Sequence, residues 1–148
     1  MAKQLKLKVV TPERLILEEM VDQVTLPGSE GEITILPDHI PIVTGLHPGD
    51  VVALSNGEYV PMAVAGGFVE IKKNDSGVTE VAVLADFAET IAELTDSKIA
   101  EARARAAELH KQMENKEVVD FEHFASELER SLTRVKIADK WRTKKYRK

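Results

Sequence analysis

Cysteine is absent from this 148-residue sequence. That excludes disulfides, zinc ribbons and thiol catalysis. No run of about 18 apolar residues occurs, so no segment reads as a membrane span. The N-terminus lacks the charge and apolar pattern of a signal or transit peptide. Aromatic residues are scarce, at 5% with one tryptophan, so the core must be aliphatic and the helices alanine-rich. Motifs that carry chemistry are missing too. There is no G-x-x-x-x-G-K followed by Ser or Thr, and no G-x-S-x-G. His39, His47, His110 and His123 lack i,i+4 or H-E-x-x-H spacing, so no metal site is expected. Glu30 and Glu32 lie in a wet Gly/Ser turn that suits a partner contact better than acid–base work. The chain is therefore not expected to be an enzyme.

The formal net charge of −5 hides an asymmetry. Residues 1–86 carry 6 Lys/Arg against 13 Asp/Glu, net −7, and residues 87–148 are net +2. Within the latter, residues 130–148 hold nine basic residues and one acidic, net +8. An acidic module joined to a basic end implies an acidic partner for that end, or a solvated tail.

The first 86 residues alternate in period two between turn signals. Leu5, Leu7 and Val9 interleave with Lys6 and Lys8, as a strand with one buried face requires. Further short strands read at 15–17, 21–26, 33–36, 40–43, 51–54, 59–65, 68–71 and 78–84. Pro27-Gly28, Pro37-Asp38 and Pro48-Gly49 punctuate them. Asn56-Gly57 predicts a type I′ hairpin, and Gly66-Gly67 predicts a bulge or a close backbone approach. About ten short antiparallel strands make an all-β sandwich.

After residue 86 the period changes. A linker over 87–97 leads to a C-terminal antiparallel two-helix hairpin over 98–148 with a basic tail. Ile99, Ala102, Ala106, Leu109 and Met113 form the first apolar stripe. Ala100, Ala104 and Ala107 widen it with small residues. Asp120 is placed as the cap of the second helix, with Val119 and Phe124 as a hydrophobic staple. Phe121, Phe124, Leu128, Leu132, Val135 and Ala138 form the second stripe. So narrow and alanine-rich a face predicts marginal docking.

Residues 26–49, LPGSEGEITILPDHIPIVTGLHPG, resemble the signature of the epsilon subunit of F-type ATP synthases, LPG-x-EGE-x-GILP-x-H-x-P-x-x-T-x-L-x-PG. Thr34 replaces the usual glycine. AVAGGFVEI at 63–71 and VAVLADFAE at 81–89 resemble two further family segments. The resemblance implies a non-catalytic rotor subunit of the central stalk. Its sandwich would pack on the gamma subunit and sit on the membrane ring of c subunits. The c-ring contact would be Ser29, Glu30, Gly31, Glu32 and His39. The hairpin would brake ATP hydrolysis by meeting the alpha and beta catalytic subunits through Arg130, Arg134, Lys136 and Lys140. Some members bind ATP on the hairpin through I/L-D-x-x-R-A. Here Glu89, Arg103, Arg130 and Arg134 are retained, but Ala100 replaces the aspartate, so no cofactor is expected. Association with the cell membrane would be peripheral, on the cytoplasmic face, through the complex and without nucleic acid. The alternative is a free-standing β-sandwich binding module with a polyanion-binding tail, where Trp141 and Tyr146 interleave basic residues.

Overall fold

The computed structural model describes residues 3–91, 96–114 and 121–144. Eight strands come first: β1 (Leu5–Val10), β2 (Leu15–Val21), β3 (Gln23–Gly28), β4 (Gly31–Ile35), β5 (Ile42–Gly45), β6 (Gly49–Ser55), β7 (Glu58–Lys73) and β8 (Thr79–Thr90). Two helices follow, α1 (Asp96–Glu114) and α2 (Phe121–Lys144). The pairing order is β2-β1-β8-β7-β6-β3-β4, with β5 also on β7. The two layers enclose an aliphatic core of Leu5, Leu7, Val9, Val24, Leu26, Ile35, Val51, Met62, Val69, Ile71, Val81 and Val83. On β1 the expected alternation holds, with Leu5, Leu7 and Val9 fully buried.

Two features depart from the sequence expectation. The strands number eight rather than about ten, chiefly because residues 59–65 and 68–71 belong to the single strand β7. Its register against β8 is the same on both sides of Gly66, at Ala65↔Phe87 and at Gly67↔Ala85 and Phe68↔Leu84, so no residue is inserted and the glycine pair is no bulge. It is a close approach: a Cβ on Gly67 would overlap the Leu84 carbonyl oxygen and lie 2.8 Å from Ala85 Cα. Here β7 turns from one layer to the other. Before the glycines it pairs with β6, and after them with β5. The second departure is that β1 and β8 run parallel, from Lys6↔Glu80 to Val10↔Leu84. The Asn56-Gly57 hairpin is as expected, with φ of 51° and 83°, both positive as a type I′ turn demands.

β8 continues to Thr90, past the change of period near residue 86. On α1, Ile99, Ala102, Ala106 and Leu109 are buried, while Ala100, Ala104 and Ala107 are exposed. On α2 the buried set is Ser131, Thr133, Ile137 and Ala138. Leu132, placed in the apolar stripe from its spacing, is 53% exposed. The reason is geometric: α2 packs against both α1 and the sandwich, so its covered arc is wider than one helical stripe and rotated from it. The Asp120 cap and the Val119–Phe124 staple lie outside the described residues, as do the side chains of Met113 and Phe121 and the tail beyond Lys144.

Candidate functional site

The functional geometry centres on the seat of α2. Asp50 on β6 pairs with Ala63 on β7, and Ala63 pairs with Glu89 on β8. Directly paired residues share a face, so the three form one row across three strands. Ala63 is fully buried and clusters with Ile99, Ile137 and Ala138, against which Ile91 and Trp141 pack. At one end of the row, Asp50 Oδ2 accepts from Lys140 Nζ at 2.7 Å and from Trp141 Nε1 at 2.9 Å. At the other, Glu89 accepts two hydrogen bonds from Arg134, at 3.1 Å from Nε and 2.7 Å from Nη2. Arg134 also lies over the Phe87 ring, 4.6 Å from its centroid, and Arg130 lies 5.8 Å from it. Tyr59 flanks Trp141 with ring centroids 6.2 Å apart. Of the four cations assigned to catalytic subunits, Arg134 and Lys140 thus hold sandwich carboxylates and Arg130 covers Phe87. Lys136 is exposed.

The two helices and the end of β8 line an open cleft of about 630 Å³, with Glu89, Lys98, Glu101, Arg105, Glu127 and Arg134 among its walls. Three of the four residues assigned to the nucleotide motif, Glu89, Arg130 and Arg134, line it. Arg103 does not. It points to the opposite flank and forms a two-pronged pair with Asp139, both distances 2.8 Å. Ala100 is exposed. Two of the cleft's cations are already engaged by carboxylates: Arg134 by Glu89, and Arg105 by Glu127 at 2.6 Å. The hydrogen bond from Arg105 holds the Glu127 carboxyl below the ordinary glutamate range.

The residues assigned to the c-ring sit along the edge strand β4. Ser29 and Glu30 form the exposed tip of the β3–β4 hairpin, and Gly31 and Glu32 open β4. The tip is tied back by Ser29 N–H to the Gly45 carbonyl at 2.9 Å and by His47 Nε2 beside the Ser29 carbonyl at 3.1 Å. His39 is not beside them. It follows β4, in a loop pinned by Asp38, which pairs with Lys3 and Lys73. Those hydrogen bonds, Lys3's first, lower the Asp38 carboxyl pKa. The length of β4, about 14 Å at 3.4 Å per residue, separates the two groups. Leu36 and Ile40, 53% and 71% exposed, stand on the same loop as His39.

A surface that the sequence reading missed lies on the outer face of the first layer. Leu15 pairs with Val10, Val10 with Leu84, and Leu84 with Phe68. The four make one apolar row across β2, β1, β8 and β7. Phe68 is 48% exposed, Leu15 50% and Leu84 39%. The signal that could have found it is the apolar residue at the polar phase of each strand, Val10 after Lys6 and Lys8 being the plainest. Among the described residues no group of His, Cys, Asp or Glu is arranged to hold a metal ion. No helix there is long and apolar enough to cross a membrane.

Comparison with known proteins follows the same lines. Residues 4–91 match the family described as ATP synthase, Delta/Epsilon chain, beta-sandwich domain. An ATP synthase epsilon chain of Nitratidesulfovibrio vulgaris (strain DP4) is 37% identical over 137 residues, covering 93% of this chain and 97% of the relative. One of Dehalococcoides mccartyi (strain CBDB1) is 40% identical over 141 residues, covering 94% and 95%. A chain in the cryo-EM structure of the Euglena gracilis mitochondrial ATP synthase (OSCP/F1/c-ring, rotational state 1) shares the fold. Its TM-score is 0.57 at 24% identity, with 95% of this chain and 80% of that one covered. The family match takes in the whole sandwich, and the relatives extend it across the hairpin: the chain belongs to the ATP synthase epsilon-chain family.

Proposed function

We propose that the chain is a rotor subunit of the central stalk, joining the gamma subunit to the c-ring and braking ATP hydrolysis through its hairpin. It is not the catalyst of the complex. The observation that carries the reading is the Leu15–Val10–Leu84–Phe68 row. A row of large apolar side chains on an otherwise charged sheet face marks an interaction surface. The gamma subunit is its assigned occupant. The c-ring contact is assigned to the β4 edge as a whole. With Glu32 and His39 at opposite ends, one polar loop cannot reach both, and a ring of repeated loops can. Association with the membrane, on the cytoplasmic face, is through the complex.

The test is reconstitution. Phe68→Lys with Leu84→Lys, both at exposed positions, should abolish co-purification with gamma while the sandwich stays folded. In the same complex, Glu32→Lys should weaken coupling of proton flow to synthesis. Retained gamma binding would remove the row from the reading, and unchanged coupling would remove Glu32.

We also infer that no nucleotide binds between the helices. Ala100 supplies no carboxylate, Arg103 is turned to Asp139, and Glu89 and Glu127 already hold two of the cleft's three arginines, Arg134 and Arg105. Calorimetry with ATP should give no heat of binding at micromolar concentrations. A micromolar dissociation constant would contradict this.

A further inference from the structure

We propose that Asp50 and Glu89 are positioning residues that lock α2 in a single register, so the chain's own carboxylates keep the hairpin docked without a ligand. The spacing carries the argument. Neighbouring strands lie about 4.8 Å apart, which puts Asp50 and Glu89 about 10 Å apart with Ala63 between them. Arg134 and Lys140 are six residues apart on α2, about 9 Å at the helical rise. Ile137 and Ala138 fall between the two cations and meet Ala63, which has no exposed surface. An acid–alanine–acid row therefore receives a cation–apolar–cation stretch of matching length.

The apolar contact with Ala63 and the Trp141 hydrogen bond fix which turn of the helix is used. A slide by one turn, about 5.4 Å, would set the Arg134 guanidinium over Ala63, where no acceptor waits. Arg130 and Lys136, one turn behind Arg134 and Lys140, would then face the two carboxylates, but Ile137 and Ala138 would leave Ala63 and Trp141 would leave Asp50. The Asp50 and Glu89 side chains are only 11% and 12% exposed in the docked form. A buried carboxylate without a partner is strongly disfavoured. Rotation of α2 about its axis would break the Trp141 hydrogen bond, which shares the Asp50 oxygen with Lys140. Docking in this register is thus favoured as a unit. It also occupies Arg134 and Lys140, so the helix cannot offer them to an acidic surface elsewhere while docked. That last consequence rests on the brake reading above; the lock itself does not.

The chain has one tryptophan, Trp141, and it lies in the lock. Its fluorescence in the purified full chain is the readout. D50N/E89Q should shift Trp141 emission to the red and raise its quenching by acrylamide. The undocked fraction should rise at least about tenfold, equivalent to about 1.4 kcal/mol. Amide-exchange protection across β1–β8 should stay as in the parent. R134Q/K140Q should do the same from the helix side, and it decides the matter if the sandwich-side variant does not fold. The charge swap E89R/R134E should restore quenching toward the parent value relative to E89R alone, which a merely space-filling role would not achieve. K136Q, exposed when docked, should leave emission unchanged. Parental emission and quenching in R134Q/K140Q would overturn the lock, as would failure of the swap to recover any protection. In the reconstituted complex, D50N/E89Q should deepen inhibition of hydrolysis and K136Q relieve it. If those activities do not move while the fluorescence does, the brake reading fails and the lock stands.

Discussion

Truncation after Asp120 should raise ATP hydrolysis by the reconstituted complex about tenfold and spare synthesis. A bias of about 1.4 kcal/mol toward the engaged hairpin keeps roughly nine complexes in ten braked, and loss of α2 abolishes it. The truncation removes Arg130, Arg134, Lys136 and Lys140 together. It also removes the helix whose Arg134, Lys140 and Trp141 hold the Asp50–Ala63–Glu89 row, so the docked form of α2 no longer competes. Substituting the cations singly is less simple. Arg134 holds Glu89 in the docked form. Neutralising it weakens docking, which favours engagement, and removes a charge that engagement would use. The two effects oppose each other. Lys136 is exposed in the docked form and has no such double role. Hydrolysis assays on the truncated and Lys136→Gln complexes, at low salt where surface charges are least screened, check the assignment. Unchanged hydrolysis after truncation would reduce α2 to a solvated helix with no part in regulation.

Gly67→Ala should lower the melting temperature of the sandwich by about 20 °C. Gly67 has φ +109°, a region that side chains rarely adopt, and its Cβ would overlap the Leu84 carbonyl oxygen. Both contacts are backbone, on the strand paired with it, so no side-chain rotation relieves them. Backbone strain and overpacking each cost about 1–3 kcal/mol, or about 4 together. In a domain of this size, 1 kcal/mol moves the midpoint by about 4–8 °C. Gly57→Ala is the contrasting case. Its φ is +83°, but nothing lies within 4 Å of the added atom. Strain alone should then cost about 1 kcal/mol. Circular dichroism melts of the two variants measure the difference, and equal shifts would mean that the close approach at Gly67 is not what fixes the corner.

Local chemistry was legible in the sequence wherever it is decided by a few adjacent residues. Asn56-Gly57 announces its turn, and Leu5, Leu7 and Val9 announce their buried face. The parallel pairing of β1 with β8 had no such signal, because it joins segments about 70 residues apart in the chain. The seat of α2 was hidden for the same reason. Asp50, Ala63 and Glu89 come from three strands, and none is unusual in its own segment. Leu132 was misplaced because one helical stripe was assumed where two surfaces are packed. Gly66-Gly67 could be read as special without revealing which of its two meanings applied. Only the unshifted register separates a bulge from a corner.

The corner in β7 has a mechanical consequence. Ala63, under the helix, and Phe68, on the outer apolar row, lie five residues apart on the same strand, one on each side of the glycine pair. β8 runs beside both, paired at Ala63↔Glu89 and at Phe68↔Leu84. The two surfaces are therefore joined through five residues of two paired strands, with a close backbone approach at the bend. A displacement of the outer row has a short covalent and hydrogen-bonded route to the helix seat, and Gly67 stands in the middle of it.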